Sequence, residues 1–83
     1  MMKLQFLTLV KTVTEEGNLA HAAQKLYLTP SALSHQLKAL ESDLGFKIFH
    51  RTRNNWQLTQ EGQTLYGVAC DVLGSIERGM DTL

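Results

Sequence analysis

The sequence predicts a mainly α fold, four helices and one short β-hairpin, and three observations predict it. Apolar side chains recur at helical spacing in four separate blocks. Gly17 and Gly45 close two of those blocks, while Asn18, Thr29 and Thr59 stand where helices need an N-cap. The stretch between Gly45 and Thr59 reads instead as two short strands, Lys47–Arg51 and Trp56–Leu58, around Asn54-Asn55, whose tolerance of left-handed backbone suits a tight tip.

Taken in order, the first helix covers roughly residues 2–15, with Phe6, Leu9, Val10 and Val13 at i, i+3, i+4, i+7 spacing, and Gly17 ends it. Asn18 caps a short second helix whose Leu19, Ala22, Ala23 and Leu26 fall at inward spacing. Its two small alanines let another helix approach closely. Tyr27 and Leu28 leave only a brief connection, without the glycine often found in such a turn, before Thr29 as N-cap and Pro30 at the first helical position, where a missing N–H costs nothing. In the third helix, roughly 30–44, Leu33, Leu37, Leu40 and Leu44 share one stripe, and Ser31, Ser34, His35, Lys38 and Ser42 cluster opposite.

A short helix, a tight turn and a second polar-faced helix form a helix-turn-helix, the second helix being the recognition helix. Its polar face suits a DNA major groove: serines reach base edges or phosphates, His35 and Lys38 add donors or charge, and no carboxylate among the five repels the backbone. The hairpin beside it is then a wing, so the predicted architecture is a winged helix-turn-helix. Arg51 and Arg53 are placed to meet phosphates or a minor groove, and Trp56 is expected to pack. Thr59 caps a last helix that reaches Leu83, about 37 Å at 1.5 Å per residue. Leu65, Ala69, Val72, Ile76 and Leu83 follow alternating four- and three-residue steps along it, with Gly79 at the missing seam position and Tyr66, Leu73 and Met80 widening the stripe. So much apolar surface at the end of a small domain is expected to pack partly on a second copy.

Composition agrees with one small domain. A chain of 83 residues buries only about 60% of its unfolded surface and gains from a partner. There is no apolar run of membrane-spanning length and no signal-peptide pattern, and the single Cys70 rules out an internal disulfide and suits a reducing cytoplasm. Eight Lys/Arg balance eight Asp/Glu, which by itself argues against a nucleic-acid partner. The distribution answers that objection. Residues 1–58 hold Lys3, Lys11, Lys25, Lys38, Lys47, Arg51 and Arg53 against Glu15, Glu16, Glu41 and Asp43, a net +3; residues 59–83 hold Arg78 against Glu61, Asp71, Glu77 and Asp81, a net −3. A basic body and an acidic terminal helix that points away from phosphates follow.

Enzyme readings find little support. Ser34 and His35 are neighbours that point about 100° apart on a helix and make no nucleophile–base pair. His21, His35, His50 and Cys70 lack metal-ligand spacing, and no glycine-rich phosphate loop occurs. The rival from another class is a protein-interaction module built on the apolar terminal helix.

Several stretches together resemble the DNA-binding domain of the LysR-type transcriptional regulators of bacteria. They run from Leu7, Val10 and Val13 through Gly17-Asn18, Ala22-Ala23 and Leu26 to Ser31-Ala32-Leu33-Ser34, Gln36-Leu37, Leu40-Glu41 and Leu44-Gly45, then Ile48-Phe49, Arg51, Leu58-Thr59 and Gly62. Ser31 to Gln36 with Leu44-Gly45-Phe46 is similar to the methionine-biosynthesis regulators of that family. The resemblance implies a winged helix-turn-helix over residues 1–58, a linker and dimerisation helix over 59–83, and an effector-binding domain expected beyond residue 83, so that this sequence is an N-terminal piece of a longer protein. It also implies double-stranded DNA as partner, a homodimer that becomes a tetramer at full length, no cofactor in this part, a small-molecule co-inducer for the whole protein, and a place in the bacterial cytoplasm on the nucleoid. The expected DNA-binding residues are Thr29, Pro30, Ser31, Ser34, His35, Lys38, Arg51 and Arg53; the expected dimerisation residues are Leu65, Ala69, Val72, Ile76, Met80 and Leu83. Two positions depart from the family: Pro30 stands where Gln is common, and His35 where Arg is common.

Overall fold

In the computed structural model, which describes residues 3–52 and 55–83, the chain order is α1 (Leu4–Glu16), α2 (Leu19–Lys25), α3 (Pro30–Leu44), β1 (Phe49–Arg51), β2 (Trp56–Leu58) and α4 (Gln60–Asp81). The predicted boundaries follow from local chemistry. Gly17 and Gly45 both adopt left-handed backbone, at φ 67° and 81°, and donate their N–H groups to Val13 and Glu41, closing α1 and α3. Asn18 and Thr29 accept the N–H groups of His21 and Ala32, each at 3.1 Å, opening α2 and α3.

The turn between α2 and α3 solves the missing glycine in an unusual way. Tyr27 itself takes the left-handed conformation, φ 57°, a position that costs a bulky residue about 1–2 kcal/mol. Leu26 and Leu28 on either side pack against the core, and Leu28 N–H returns to Ala23 O at 2.9 Å, so the turn is fixed while the Tyr27 ring stands 96% exposed. Ala22 and Ala23 are fully enclosed where α2 meets its neighbours, the close approach their small size permits.

The core gathers Val10, Val13, Leu33, Leu37, Leu40 and Ile48, all essentially inaccessible. Leu7 is also buried while Phe6 is only half-buried, because α1 packs against α2, α3 and α4 together, which widens its inward stripe. The first strand is shorter than predicted. Residues Phe49, His50 and Arg51 pair antiparallel with Leu58, Gln57 and Trp56. Ile48 O still takes Thr59 N–H at 2.9 Å, but Ile48 N–H turns away to the Glu41 carboxylate at 2.7 Å, and the ladder stops there.

The terminal helix divides into two halves, which corrects part of the predicted seam. Leu65 and Ala69 are buried in this chain's own core against α1, so they are not available to a second copy; Val72 and Leu73 also lean on that core. Beyond them Ile76, Met80 and Leu83 are 44%, 64% and 96% exposed. The first half is pinned further by Tyr66, whose hydroxyl donates to Glu15 of α1 at 3.1 Å. Lys11, one turn before Glu15, hydrogen-bonds the same carboxyl and, with Tyr66, holds it below the ordinary carboxylate range. The packed body therefore continues past residue 58.

At the start of α4, Thr59 is buried: its Oγ1 accepts Gly62 N–H at 2.9 Å and donates to Lys47 O at 2.6 Å. Gly62 lies so close to the backbone just before β1 that a Cβ there would run into Ile48 O. That carbonyl is held in place by Thr59 N–H. Gly62→Ala should cost about 3 kcal/mol, the upper end for overpacking, read as a lower urea midpoint. Gly67→Ala, with open space around the new methyl, should instead gain up to about 1 kcal/mol from helix propensity; equal effects at both positions would contradict the packing at Gly62.

Candidate nucleic-acid interface

The exposed side of α3 carries the residues that sequence singled out. Pro30, Ser31, Ser34, His35 and Lys38 line one shallow depression of about 380 Å³, together with Leu19 from the first turn of α2. Ser31, His35 and Lys38 are exposed and Ser34 half-buried. Thr29 opens the helix without lining the depression: its side chain is occupied by Ala32 N–H. Nothing in the lining is acidic. Leu19 was not among the expected contacts; its signal in the sequence is its place directly after the Asn18 cap, at the end of the first helix that a helix-turn-helix sets beside the recognition helix.

A second depression, about 390 Å³, lies along the other end of α3 and is lined by Lys38, Glu41, Ser42, Gly45, Phe46 and Lys47. Lys38 borders both. Among the described residues Lys11 pairs with Glu15 at 3.1 Å, Lys25 with Glu16 at 3.0 Å, and Arg51 with Glu41, whereas Lys38 and Lys47 have no ion-pair partner. Among the described residues the unpaired cations lining the two depressions are thus Lys38 and Lys47, the latter another residue that charge counting registered without assigning a site.

Arg51 requires a correction. Its predicted place was at the wing surface, free to meet phosphate, but its Nη2 is bound to the buried carboxylate of Glu41 and its guanidinium lies over the Trp56 ring, 4.8 Å from the centroid. Its Nε is enclosed with no acceptor among the described residues. The physical reason is desolvation: Glu41 is only 6% exposed on α3, and a carboxylate there requires donors, which Ile48 N–H, Phe49 N–H and Arg51 supply. Trp56 packs on Phe49, centroids 5.6 Å apart and tilted 59°, as expected of a packing residue. Arg51 therefore braces the wing against α3. Arg53, the other predicted wing contact, lies outside the described residues.

Comparison with known proteins decides the family. The family model described as bacterial regulatory helix-turn-helix protein, lysR family, matches residues 4–63. The chain belongs to the lysR family. Within it, the chain is 38% identical over 80 residues to the transcriptional regulator MetR of Salmonella typhimurium strain LT2, covering 96% of this chain and 25% of that protein. It is 38% identical over 76 residues to PtxR of Pseudomonas aeruginosa strain PAO1, covering 92% of this chain and 24% of PtxR. The similarity to methionine-biosynthesis regulators noted in the Ser31 to Gln36 stretch is thus matched by a MetR relative, but at the same identity as PtxR, so the family and not the subgroup is decided. The chain spans about a quarter of the length of these curated relatives. Among solved structures, the CbnR_DBD–DNA complex superimposes with TM-score 0.85 at 31% identity, covering 98% of this chain and 93% of that one. The BenM_DBD/benA site 1 DNA complex gives 0.89 at 30%, covering 98% and 91%. The lysR-family fold, a winged helix-turn-helix with a two-stranded wing, is the fold seen here.

The Glu41–Arg51 brace gives a thermodynamic test. Removing either partner of a buried pair leaves the other uncompensated; with the Arg51 side chain 22% exposed, the loss should be about 2 kcal/mol for Arg51→Met or Glu41→Gln rather than the 3–5 of a fully buried pair. A double-mutant cycle in urea should show coupling of at least about 1 kcal/mol. Additive losses would mean the contact contributes nothing beyond its separate parts.

Proposed function

We propose that this domain binds double-stranded DNA as the sequence-reading part of a dimeric bacterial transcription regulator. The observation that carries the reading is the carboxylate-free depression on α3, where Ser31, Ser34, His35 and unpaired Lys38 share one surface. In this reading α3 enters the major groove. Thr29 donates its backbone N–H to a phosphate, Pro30, Ser31, Ser34 and His35 face base edges, and Lys38 meets a phosphate or a guanine. His35 offers one donor toward a base where arginine offers two, so it discriminates less sharply there. Arg53 works at the wing, and Arg51 acts through the orientation of that wing. The superimposable CbnR and BenM domains are found in complex with DNA, which supports the same reading.

Dimerisation belongs to the outer half of α4. Ile76, Met80 and Leu83 present apolar surface, and Gly74 and Gly79 weaken the helix there, each by about 1 kcal/mol relative to alanine. A helix end of that composition gains its order from a partner helix, and a second copy with half-buried Val72 at the margin fits the spacing. At full length we assign an effector-binding domain beyond residue 83, a small-molecule co-inducer for that domain, tetramer assembly, residence in the cytoplasm at the nucleoid, and no enzymatic step. The alternative reading, a protein-interaction module, rests on the same apolar half of α4 and makes no use of the α3 face.

Titration on random-sequence duplex at several salt concentrations separates the two. DNA binding gives an affinity that falls linearly with salt on logarithmic axes, and Lys38→Ala should reduce that slope by about one; an interaction module shows neither. For the assembly, Ile76→Asp combined with Met80→Asp should halve the mass in sedimentation, because both side chains are exposed in the single chain and their change spares its core. An unchanged mass would move the interface elsewhere.

A further inference from the structure

The α3 depression is not uniformly polar. Two of its six lining residues, Leu19 and Pro30, carry no side-chain hydrogen-bonding group, and they bring together the first turns of α2 and α3. Leu19 is half-buried and backed by the core, so its position is fixed; Pro30 is exposed and rigid at the first position of α3. The other four residues supply hydrogen bonds or charge and none is acidic, which fits the edge of a nucleic acid and disfavours a cationic occupant. In the major groove the base edges offer donors, acceptors and a single apolar group, the C5-methyl of thymine. An apolar wall inside an otherwise polar reading surface therefore has one chemical match.

We infer that Leu19 and Pro30 form a methyl-reading wall, selecting thymine at one position of each half-site. The inference rests on the DNA-binding reading above and deepens it: Ser31, Ser34, His35 and Lys38 supply hydrogen bonds and charge, and the Leu19–Pro30 wall supplies a contact that cytosine and the purines lack. Pro30 has no hydrogen-bonding side chain, so at that position shape and methyl contact replace donor–acceptor readout.

Deoxyuridine differs from thymidine only by that methyl and keeps its base pairing. The experiment starts with bound duplex selected by this protein from a random pool, then replaces each thymine in turn by deoxyuridine. Wild-type protein should lose about fourfold in affinity at one thymine per half-site, the equivalent of about 0.8 kcal/mol for one buried methyl group. The ratio of affinities for thymine and uracil duplexes at that position should fall to about one in Leu19→Ala or Pro30→Ala and stay near fourfold in Lys47→Ala, which lies outside the depression. Because the ratio compares two duplexes on the same protein, any loss of folded protein cancels. No uracil penalty at any position, or a penalty that persists undiminished in both Leu19→Ala and Pro30→Ala, overturns the inference while leaving DNA binding intact. A pool that yields no enriched sequence overturns the DNA reading itself.

Discussion

The arrangement of this domain depends on one buried carboxylate. Glu41, in the last turn of α3, accepts hydrogen bonds from Ile48 N–H, Phe49 N–H and Arg51. Each bond carries the constraint further: Ile48 O receives Thr59 N–H, Thr59 Oγ1 donates to Lys47 O and caps α4, and Gly62 closes against Ile48 O. A carboxylate removed from water costs several kcal/mol, and only this set of donors offsets it. The recognition helix, the wing and the terminal helix are consequently fixed to one another by a continuous hydrogen-bonded path rather than by apolar packing alone.

That path matters for the proposed dimer. A two-fold regulator reads two half-sites, and their spacing follows from the distance between its recognition helices. If α4 joined the body through a loose linker, that distance would vary. Here the first half of α4 is part of the body through Leu65, Ala69 and the Tyr66–Glu15 bond, and the second half projects free. In the proposed dimer, geometry set where the outer halves pair would reach α3 through one continuous helix about 33 Å long, at 1.5 Å for each of 22 residues.

The sequence made the helices legible because their boundaries are written in adjacent residues. Asn18, Thr29 and Thr59 cap, Gly17 and Gly45 terminate, and all five do so through contacts within a few positions. The place of Arg51 is not legible locally because its partner lies ten residues away across a turn, and local pattern cannot distinguish a surface arginine from one directed inward at a carboxylate. Leu65 and Ala69 share a helical stripe with Ile76, so periodicity joined them; only the end of α1 determines where self-packing stops and free surface begins. Tyr27 shows the reverse case, in which sequence correctly registered the lack of glycine and the backbone nevertheless adopts the left-handed turn at a tyrosine, because Leu26 and Leu28 must both reach the core. Leu19 at inward spacing reads as core in the sequence, whereas in the fold it packs on the core with one side and lines the α3 depression with the other.

Charge leads to the last step. The chain is neutral overall and its body carries a net +3, yet Lys11, Lys25 and Arg51 are each neutralised by an internal acid. What remains near α3 among the described residues is Lys38 and Lys47, few cations for a polyanion. Non-specific affinity for DNA arises almost entirely from phosphate neutralisation and grows with the number of such contacts. In the proposed DNA-binding reading these two cations supply phosphate contacts beside α3, and base edges and the proposed second copy add what charge alone does not. Phosphate contacts raise specific and non-specific affinity together, so it is the base-edge contacts proposed for α3 that would set the ratio between them, the quantity a regulator needs among many competing sites.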